Sequence, residues 1–128
     1  MILKITGVKT TVIGEENIPD EAVLFVGNHR SYFDILLTYS RCKRLTGYVA
    51  KKEMEKYLTL TTWMRRLYCL FLDRSDPKQG LKTILTAIDY IKRGISICIF
   101  PEGTRNTGAE LSLLPFKDGA FKIATKTG

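Results

Sequence analysis

Residues 76–100 read DPKQGLKTILTAIDYIKRGISICIF, in which a helix pattern runs directly into the pattern of a buried strand. Residues 78–93 place apolar side chains at helical spacing on one face. These side chains are Leu81, Ile84, Leu85, Ile88 and Ile91. Asp76 can cap the start of this helix, and Gly94 follows its end. The continuous apolar run 95–100 is typical of a strand that is buried on both faces of a parallel sheet.

The same order of helix and strand patterns continues on both sides of this stretch, which predicts an α/β fold. Short runs of β-branched or compact apolar residues predict strands at residues 3–12, 22–26, 46–50 and 69–72. Amphipathic runs predict further helices at residues 33–39, 53–67 and 119–126. We expect residues 1–128 to form a single domain in which helices flank a mostly parallel mixed sheet.

The composition of the 128 residues is that of a folded globular domain. Hydrophobic residues make up 45% and charged residues 26%, with only 10 Gly and 4 Pro, which excludes disordered and low-complexity classes. No apolar run approaches the ~20 residues of a membrane-spanning helix. The three cysteines are far apart and there is one histidine, so we expect no disulfide framework, no metal site and a reducing compartment.

The formal net charge of +7 indicates an anionic partner. Nucleic acid, a phospholipid surface and a phosphorylated substrate all fit this charge. The basic residues are spread along the chain, and the usual recognition motifs are missing, so we expect no nucleic-acid partner.

Two polar segments directly follow predicted strands. Residues 27–34 read GNHRSYFD after the strand at 22–26, and residues 101–106 read PEGTRN after the strand at 95–100. Ligands of open α/β sheets bind in the crevice at the carboxyl ends of strands. The sequence therefore predicts a functional site that is formed by both segments.

Each segment carries residue types that suit a defined chemistry. His29 can act as a general base, and Asp34 can accept its other ring N–H and hold the tautomer. Glu102, Gly103 and Arg105 supply a carboxylate, a backbone N–H and a guanidinium, so that Arg105 could bind a phosphate and Glu102 a hydroxyl. The alternatives are a turn with a helix-terminal carboxylate and a loop with a surface ion pair.

Together the two segments resemble the glycerolipid acyltransferase family, of the 1-acylglycerol-3-phosphate acyltransferase type. The first family block, Asn-His-x-Ser-x-x-Asp, matches residues 28–34, and the third, Phe-Pro-Glu-Gly-Thr-Arg, matches residues 100–105. The second block, which ends in an arginine, is similar to residues 71–74. The lysine pair Lys51 and Lys52 is also similar to the family. The resemblance covers almost the whole chain and implies a glycerol-3-phosphate acyltransferase-like fold.

The resemblance implies transfer of a fatty acyl group from acyl-CoA or acyl carrier protein to the free hydroxyl of 1-acylglycerol-3-phosphate, giving phosphatidic acid. It implies that His29 is the general base and that Asp34 orients it. The implied substrate-binding residues are Arg74, Glu102, Gly103, Thr104 and Arg105. The implied supporting residues are Asn28, Ser31 and Lys51. The thioester is a co-substrate and no cofactor is implied, and the enzyme is expected at the cytoplasmic face of a membrane.

The chain departs from the family pattern in two ways. Tyr68 stands where the second block often has a glycine, which affects the expected packing around Arg74. The family also continues beyond residue 128 with a fourth block and commonly begins with an apolar anchor. We therefore expect this sequence to be truncated at its C-terminus.

Several alternatives remain open at this level. Ser31 could be the nucleophile of a covalent mechanism, although a helix cap suits its position better. Residues 54–71 mix aromatic and basic side chains, which suits either a membrane interface or a helix that faces the core. The function could also be acyl transfer to another lysophospholipid headgroup, phosphate-ester hydrolysis, or lipid binding by a catalytically silent fragment.

Overall fold

The computed structural model describes residues 5–127. Its strands are β1 (Leu24–Val26), β2 (Thr46–Lys51), β3 (Leu70–Leu72) and β4 (Ser96–Ile99). Its main helices are α1 (Phe33–Tyr39), α2 (Leu58–Arg66), α3 (Pro77–Lys92) and α4 (Gly119–Thr127). Short 3-10 turns lie at Glu15–Asn17 and Lys52–Lys56. The predicted α/β class is confirmed, and the bounds lie within two residues of the predicted ones except for α2, which begins five residues later than predicted.

The four strands form one sheet in the order β1-β4-β2-β3, and every pairing between them is parallel. The predicted sheet was mostly parallel but mixed, and within residues 5–127 no antiparallel pair occurs. Parallel strands place all their carboxyl ends at one edge, here called the carboxyl edge, which comprises residues 27–34, 51–58, 73–76 and 100–117. The opposite amino edge comprises residues 15–23, 40–45, 67–69 and 89–95. Both predicted polar segments therefore lie at the carboxyl edge.

The core lies between one face of the sheet and the helices α3 and α4. Its centre is formed by four buried side chains, Leu70, Ala87, Ile97 and Ile123. Ile84, Ile88 and Ile91 of α3 pack against this cluster. Leu81 and Leu85 were predicted on the same face but are 56% and 58% exposed. The face of α3 that contacts the core is therefore narrower than the apolar face that the sequence predicted.

The start of α3 follows the sequence signals. The Asp76 carboxylate accepts hydrogen bonds from the amides of Lys78 and Gln79 at 2.9 and 3.2 Å, and a proline occupies the first turn. Such a cap satisfies backbone donors that the helix cannot pair internally, and it stabilises a helix by about 1 kcal/mol. The cap also defines where the turn at residues 73–76 ends, at the carboxyl edge.

The strand predicted at residues 3–12 is wrong for the part that the structure describes. Residues 8–13 are not in a strand, and residues 3 and 4 lie outside the described range. Residues 8–12 line a shallow cavity with Leu37, Ser40 and Arg41, so they run beside α1. A β-branched run forms a strand only where the edge of another strand is available for pairing. Here the neighbour is a helix.

The segment predicted as one helix at residues 53–67 divides into a 3-10 turn and α2. Thr61 is the buried residue of α2, whereas Leu58 and Trp63 are exposed. A helix that faces the core would bury these large side chains. The alternative of a core-facing helix therefore does not describe α2. Within residues 5–127 no helix has the length and apolarity needed to cross a bilayer.

Candidate functional site

The centre of the site is a contact between His29 and Asp34 at the carboxyl edge. His29 lies in the connection that follows β1, and Asp34 lies in the first turn of α1. The His29 Nδ1 atom is 2.8 Å from the Asp34 Oδ2 atom. Both side chains are largely, but not fully, shielded from solvent. The contact that the sequence spacing predicts is therefore present.

Asp34 holds the turn together as well as the imidazole. Its Oδ2 atom accepts hydrogen bonds from the amides of Arg30 and Ser31 at 2.7 and 2.8 Å. Burial raises the pKa of this carboxyl, but the hydrogen bonds from Ser31, Arg30 and His29 together lower the pKa by more than burial raises it. The pKa of Asp34 therefore lies below its usual value. Asp34 is consequently a carboxylate at neutral pH.

An ionised Asp34 determines which ring nitrogen of His29 carries the proton. A carboxylate can only accept hydrogen bonds, so Nδ1 of His29 must be the donor. In the neutral imidazole the other nitrogen, Nε2, then has a free lone pair. This is the tautomer that a general base requires.

The polypeptide around His29 is fixed by the connection that follows β4. The imidazole stacks on the Phe100 ring, with centroids 4.3 Å apart and an angle of 15° between the planes. The His29 amide donates to Glu102 Oε1 at 2.9 Å, and the His29 carbonyl accepts from the Asn106 amide at 2.6 Å. The two predicted segments therefore form one unit.

Glu102 has a different position from the one that the sequence led us to expect. The residue is 4% exposed, and its two carboxylate oxygens accept the amides of His29 and Leu114, each at 2.9 Å. A buried carboxylate whose two oxygens are both occupied is poorly placed to accept a hydroxyl from a substrate. Glu102 instead positions His29 and the loop that contains Leu114.

Arg74 and Gly103 meet although they lie on different connections. Gly103 has a φ of +73°, and a Cβ atom built on it would lie 2.8 Å from the Arg74 guanidinium. The guanidinium therefore rests on the Gly103 backbone, and glycine suits both the left-handed conformation and the close approach. The Gly103 amide donates to the Phe100 carbonyl at 2.9 Å, so it is not the free N–H that the sequence analysis expected.

Arg105 is held by a residue that the sequence analysis did not select. Its guanidinium carbon lies 3.8 Å from the centroid of the Tyr32 ring. Tyr32 belongs to the first segment, so this cation–π contact is a further link between the two segments. The available signal was that the first polar segment contains an aromatic residue and the second contains an arginine.

The turn that carries Arg74 is also ordered by side chains. Lys52 Nζ lies 2.8 Å from Asp73 Oδ2, and Ser75 donates to the other oxygen of Asp73. The Asp73 carboxylate raises the pKa of Lys52, and Lys52 together with Ser75 lowers the pKa of Asp73. Lys52, rather than the predicted Lys51, therefore makes the contact that supports this turn.

Tyr68, the departure from the family pattern, adopts a left-handed backbone conformation with a φ of 59°. Glycine adopts this conformation without strain, whereas in other residues it costs about 1 kcal/mol or more. The Tyr68 ring packs edge-on against Tyr90 with centroids 5.3 Å apart, which partly offsets that cost. The substitution lies at the amino edge and leaves Arg74 against Gly103.

The remaining predicted residues occupy the rim of the site. Asn28, Lys51 and Thr104 are exposed, and within residues 5–127 their side chains make no hydrogen bond or ion pair. The Ser31 hydroxyl accepts the Phe33 amide at 3.2 Å, at the start of α1. In the same described range, no three His, Cys, Asp or Glu side chains cluster as metal ligands do.

A parallel α/β domain with a His–Asp pair and two exposed arginines at its carboxyl edge belongs to the class of proteins that are equipped for general-base chemistry on an anionic substrate. The family model described as Acyltransferase matches residues 9–128. The chain therefore belongs to the acyltransferase family.

Several curated proteins are similar to the chain. A probable 1-acyl-sn-glycerol-3-phosphate acyltransferase of Mycoplasma pneumoniae is 33% identical, over 97% of this chain and 47% of the relative. The 1-acyl-sn-glycerol-3-phosphate acyltransferase of Saccharomyces cerevisiae is 34% identical, over 92% of this chain and 39% of the relative. A chloroplastic enzyme of that name from Brassica napus is also 34% identical, over 94% of this chain and 35% of the relative. The chain spans less than half the length of these relatives. No solved structure matches it significantly.

Proposed function

We propose that this chain carries an acyltransferase centre that uses an acyl thioester as donor and 1-acylglycerol-3-phosphate as acceptor. The products are phosphatidic acid and a free thiol. The observation that carries the proposal is the His29–Asp34 contact, because it leaves Nε2 of His29 available as a base. The names of the similar curated proteins support the choice of acceptor.

The chemical step uses His29 as a proton carrier. Nε2 accepts the proton of the acceptor hydroxyl while the hydroxyl oxygen attacks the thioester carbonyl. The resulting tetrahedral intermediate breaks its carbon–sulfur bond, and the leaving thiolate takes the proton from the imidazolium. The negative charge of Asp34 stabilises the imidazolium between these two events.

The surroundings of Ser31 favour direct transfer over a covalent acyl-enzyme. Within residues 5–127, no hydrogen bond joins the Ser31 hydroxyl to His29, and that hydroxyl accepts an amide at the start of α1. A serine nucleophile needs a base within hydrogen-bond reach. Protein quenched after exposure to a radiolabelled donor should therefore carry no covalent label.

The acceptor phosphate has two candidate partners on the same rim. Arg74 and Arg105 are exposed, and in the described part of the chain neither pairs with a carboxylate. A guanidinium binds phosphate through a planar fork of donors. Tyr32 restricts Arg105, and Gly103 accommodates Arg74, so both guanidinium groups are held near the His29 connection.

The oxyanion of the intermediate requires a donor that is not used elsewhere. The amides of Arg30, Ser31 and Gly103 are already engaged in hydrogen bonds. Between residues 5 and 127, no hydrogen bond occupies the amides of Thr104 and Arg105. We assign the stabilisation of the oxyanion to this pair of amides.

The lipid acceptor places the reaction at a membrane surface, and we propose the cytoplasmic face. Both acyl-CoA and acyl carrier protein fit the proposed donor class, because each presents a thioester carbonyl. The step itself draws on no cofactor.

The test is an assay in which the chain, acyl-CoA and lysophosphatidate are combined on vesicles. Thiol release and phosphatidate formation are followed together, with His29→Ala alongside. We expect equal amounts of both products, and a decrease of at least about a hundredfold in the variant. Silence of the folded wild-type chain with every donor and lysophospholipid headgroup tried, or full activity of His29→Ala, would contradict the proposal.

A further inference from the structure

The connection that follows β4 contains an apolar loop next to the site. This loop, residues 107–116, exposes Leu111 by 95% and Leu113 by 62% of their surface, and Phe116 is also exposed. Exposed leucines are common when they occur singly, but a group on one loop indicates a contact surface.

The loop is held in place by polar contacts at several points. Asn106 binds the Gly108 amide and the Ser112 carbonyl through its side chain, and Glu102 binds the Leu114 amide. The Arg30 guanidinium donates to the carbonyls of Gly108 and Ala109 at 2.9 and 3.0 Å. These anchors tie the loop to the same connections that fix His29. The two leucines therefore project from a supported loop that is joined to the site.

The charges around the loop favour a lipid surface as its partner. Arg74, Arg105 and Lys117 are exposed, and none of them has a carboxylate partner in the described residues. Glu110 is the one acidic residue of the loop itself, and Asp118 follows it. Apolar side chains flanked by unpaired cations match the acyl chains and anionic headgroups of a bilayer.

The same edge exposes apolar residues on its other connections. Tyr32 is exposed after β1, and Tyr57 and Leu58 are exposed after β2. Three separate connections therefore present apolar side chains around the site. A protein partner would need to match all three, whereas a fluid lipid surface adapts to them.

We propose that the 107–116 loop is a lipid-docking element whose Leu111 and Leu113 insert among the acyl chains of a bilayer. Insertion turns the carboxyl edge toward the membrane, where a lysophospholipid presents its phosphate and hydroxyl. This inference rests on the proposed function, because the proposed lipid acceptor is the reason for the carboxyl edge to face a membrane. The docking itself is measured without turnover.

The test is flotation of the folded chain with vesicles of phosphatidylcholine and phosphatidylglycerol, without donor or acceptor. The variant Leu111→Gln/Leu113→Gln is compared with Leu81→Gln/Leu85→Gln, whose leucines are 56% and 58% exposed on α3. We expect the loop variant to bind at least about tenfold less, because two leucines lose their apolar burial, and the α3 variant to bind as wild type. Equal binding of all three proteins, equal loss in both variants, or no flotation of the wild-type chain would overturn the proposal.

Two further readings separate this inference from the proposed function. His29→Ala should float like the wild type while losing acyl transfer, so a failure of the chemistry does not affect the docking result. Size-exclusion chromatography of the lipid-free proteins tests a second copy of the chain as the partner. A wild-type dimer that becomes a monomer in the loop variant would assign the leucines to self-association and would also overturn the proposal.

Discussion

The arginines at the amino edge of the sheet pair with carboxylates, whereas within residues 5–127 the exposed arginines at the carboxyl edge do not. At the amino edge Arg41, Arg44 and Arg93 each lie within 3.5 Å of a carboxylate, on Glu15, Asp20 and Asp89 respectively. At the carboxyl edge Arg74 rests on the Gly103 backbone and Arg105 lies over the Tyr32 ring.

This difference shows that the arginines of the two edges differ in whether they pair with a carboxylate, and not in their number. The net charge of +7 is spread along the sequence and indicates no particular surface. Exposed ion pairs contribute little to stability, but they reduce the charge available to a ligand. Arginines held by a backbone and an aromatic ring keep their full charge for an anion.

The largest effect on kcat is expected when the carboxylate of Asp34, at the carboxyl edge, is removed, in comparison with the carboxylate of Asp89 at the amino edge. Asp34→Asn keeps an acceptor for the neighbouring amides but removes the charge that stabilises the imidazolium. We expect kcat to decrease by about 10²- to 10⁴-fold. Asp89→Asn at the amino edge is the control, with kcat and KM near wild type. Steady-state kinetics on both variants checks this, and a mild effect of Asp34→Asn would argue against the general-base pair.

A smaller effect is expected from removing an unpaired arginine. Arg105→Ala should raise KM for lysophosphatidate by about 10- to 100-fold, because a charge-assisted hydrogen bond contributes roughly 1.5–3 kcal/mol. Arg93→Ala removes a paired arginine that is also exposed, at the amino edge, and its KM should not change. Equal KM values for the two variants would remove Arg105 from the acceptor site.

The smallest effect compares two glycines that share one backbone conformation. Gly103 has a φ of +73° at the carboxyl edge, and Gly94 has a φ of +87° at the amino edge. Alanine at either position should lower the free energy of unfolding by about 1 kcal/mol, because both conformations are left-handed. A Cβ at Gly103 also meets Arg74, whereas a Cβ at Gly94 meets nothing within 4 Å.

Only Gly103→Ala should therefore raise KM for lysophosphatidate, by a few fold. Thermal unfolding and acceptor titrations of both variants measure the two effects separately. An unchanged KM in Gly103→Ala would show that the guanidinium of Arg74 moves without consequence for the acceptor.

The elements that could be predicted are those determined by local sequence. The cap and spacing of α3 and the apolar run of β4 lie within neighbouring residues, and both elements formed as expected. The contact between His29 and Asp34 was predictable for the same reason, since both belong to one turn that opens α1.

The features that could not be predicted depend on contacts between distant parts of the chain. Glu102 meets the His29 amide across 73 residues of sequence, so its burial follows from the pairing of β1 with β4. The stacking of Arg105 on Tyr32 depends on the same pairing. The run at residues 8–12 has the composition of a strand, but it lies beside α1, and within residues 5–127 no strand pairs with it.

The most direct test of the catalytic pair is a double-mutant cycle on kcat with His29→Ala, Asp34→Asn and both together. If Asp34 acts through His29, the double variant should be no slower than His29→Ala alone, because the carboxylate has no imidazole left to orient. Multiplication of the two single effects in the double variant would show that Asp34 contributes to acyl transfer independently of His29. That result would contradict the pair as the catalytic centre.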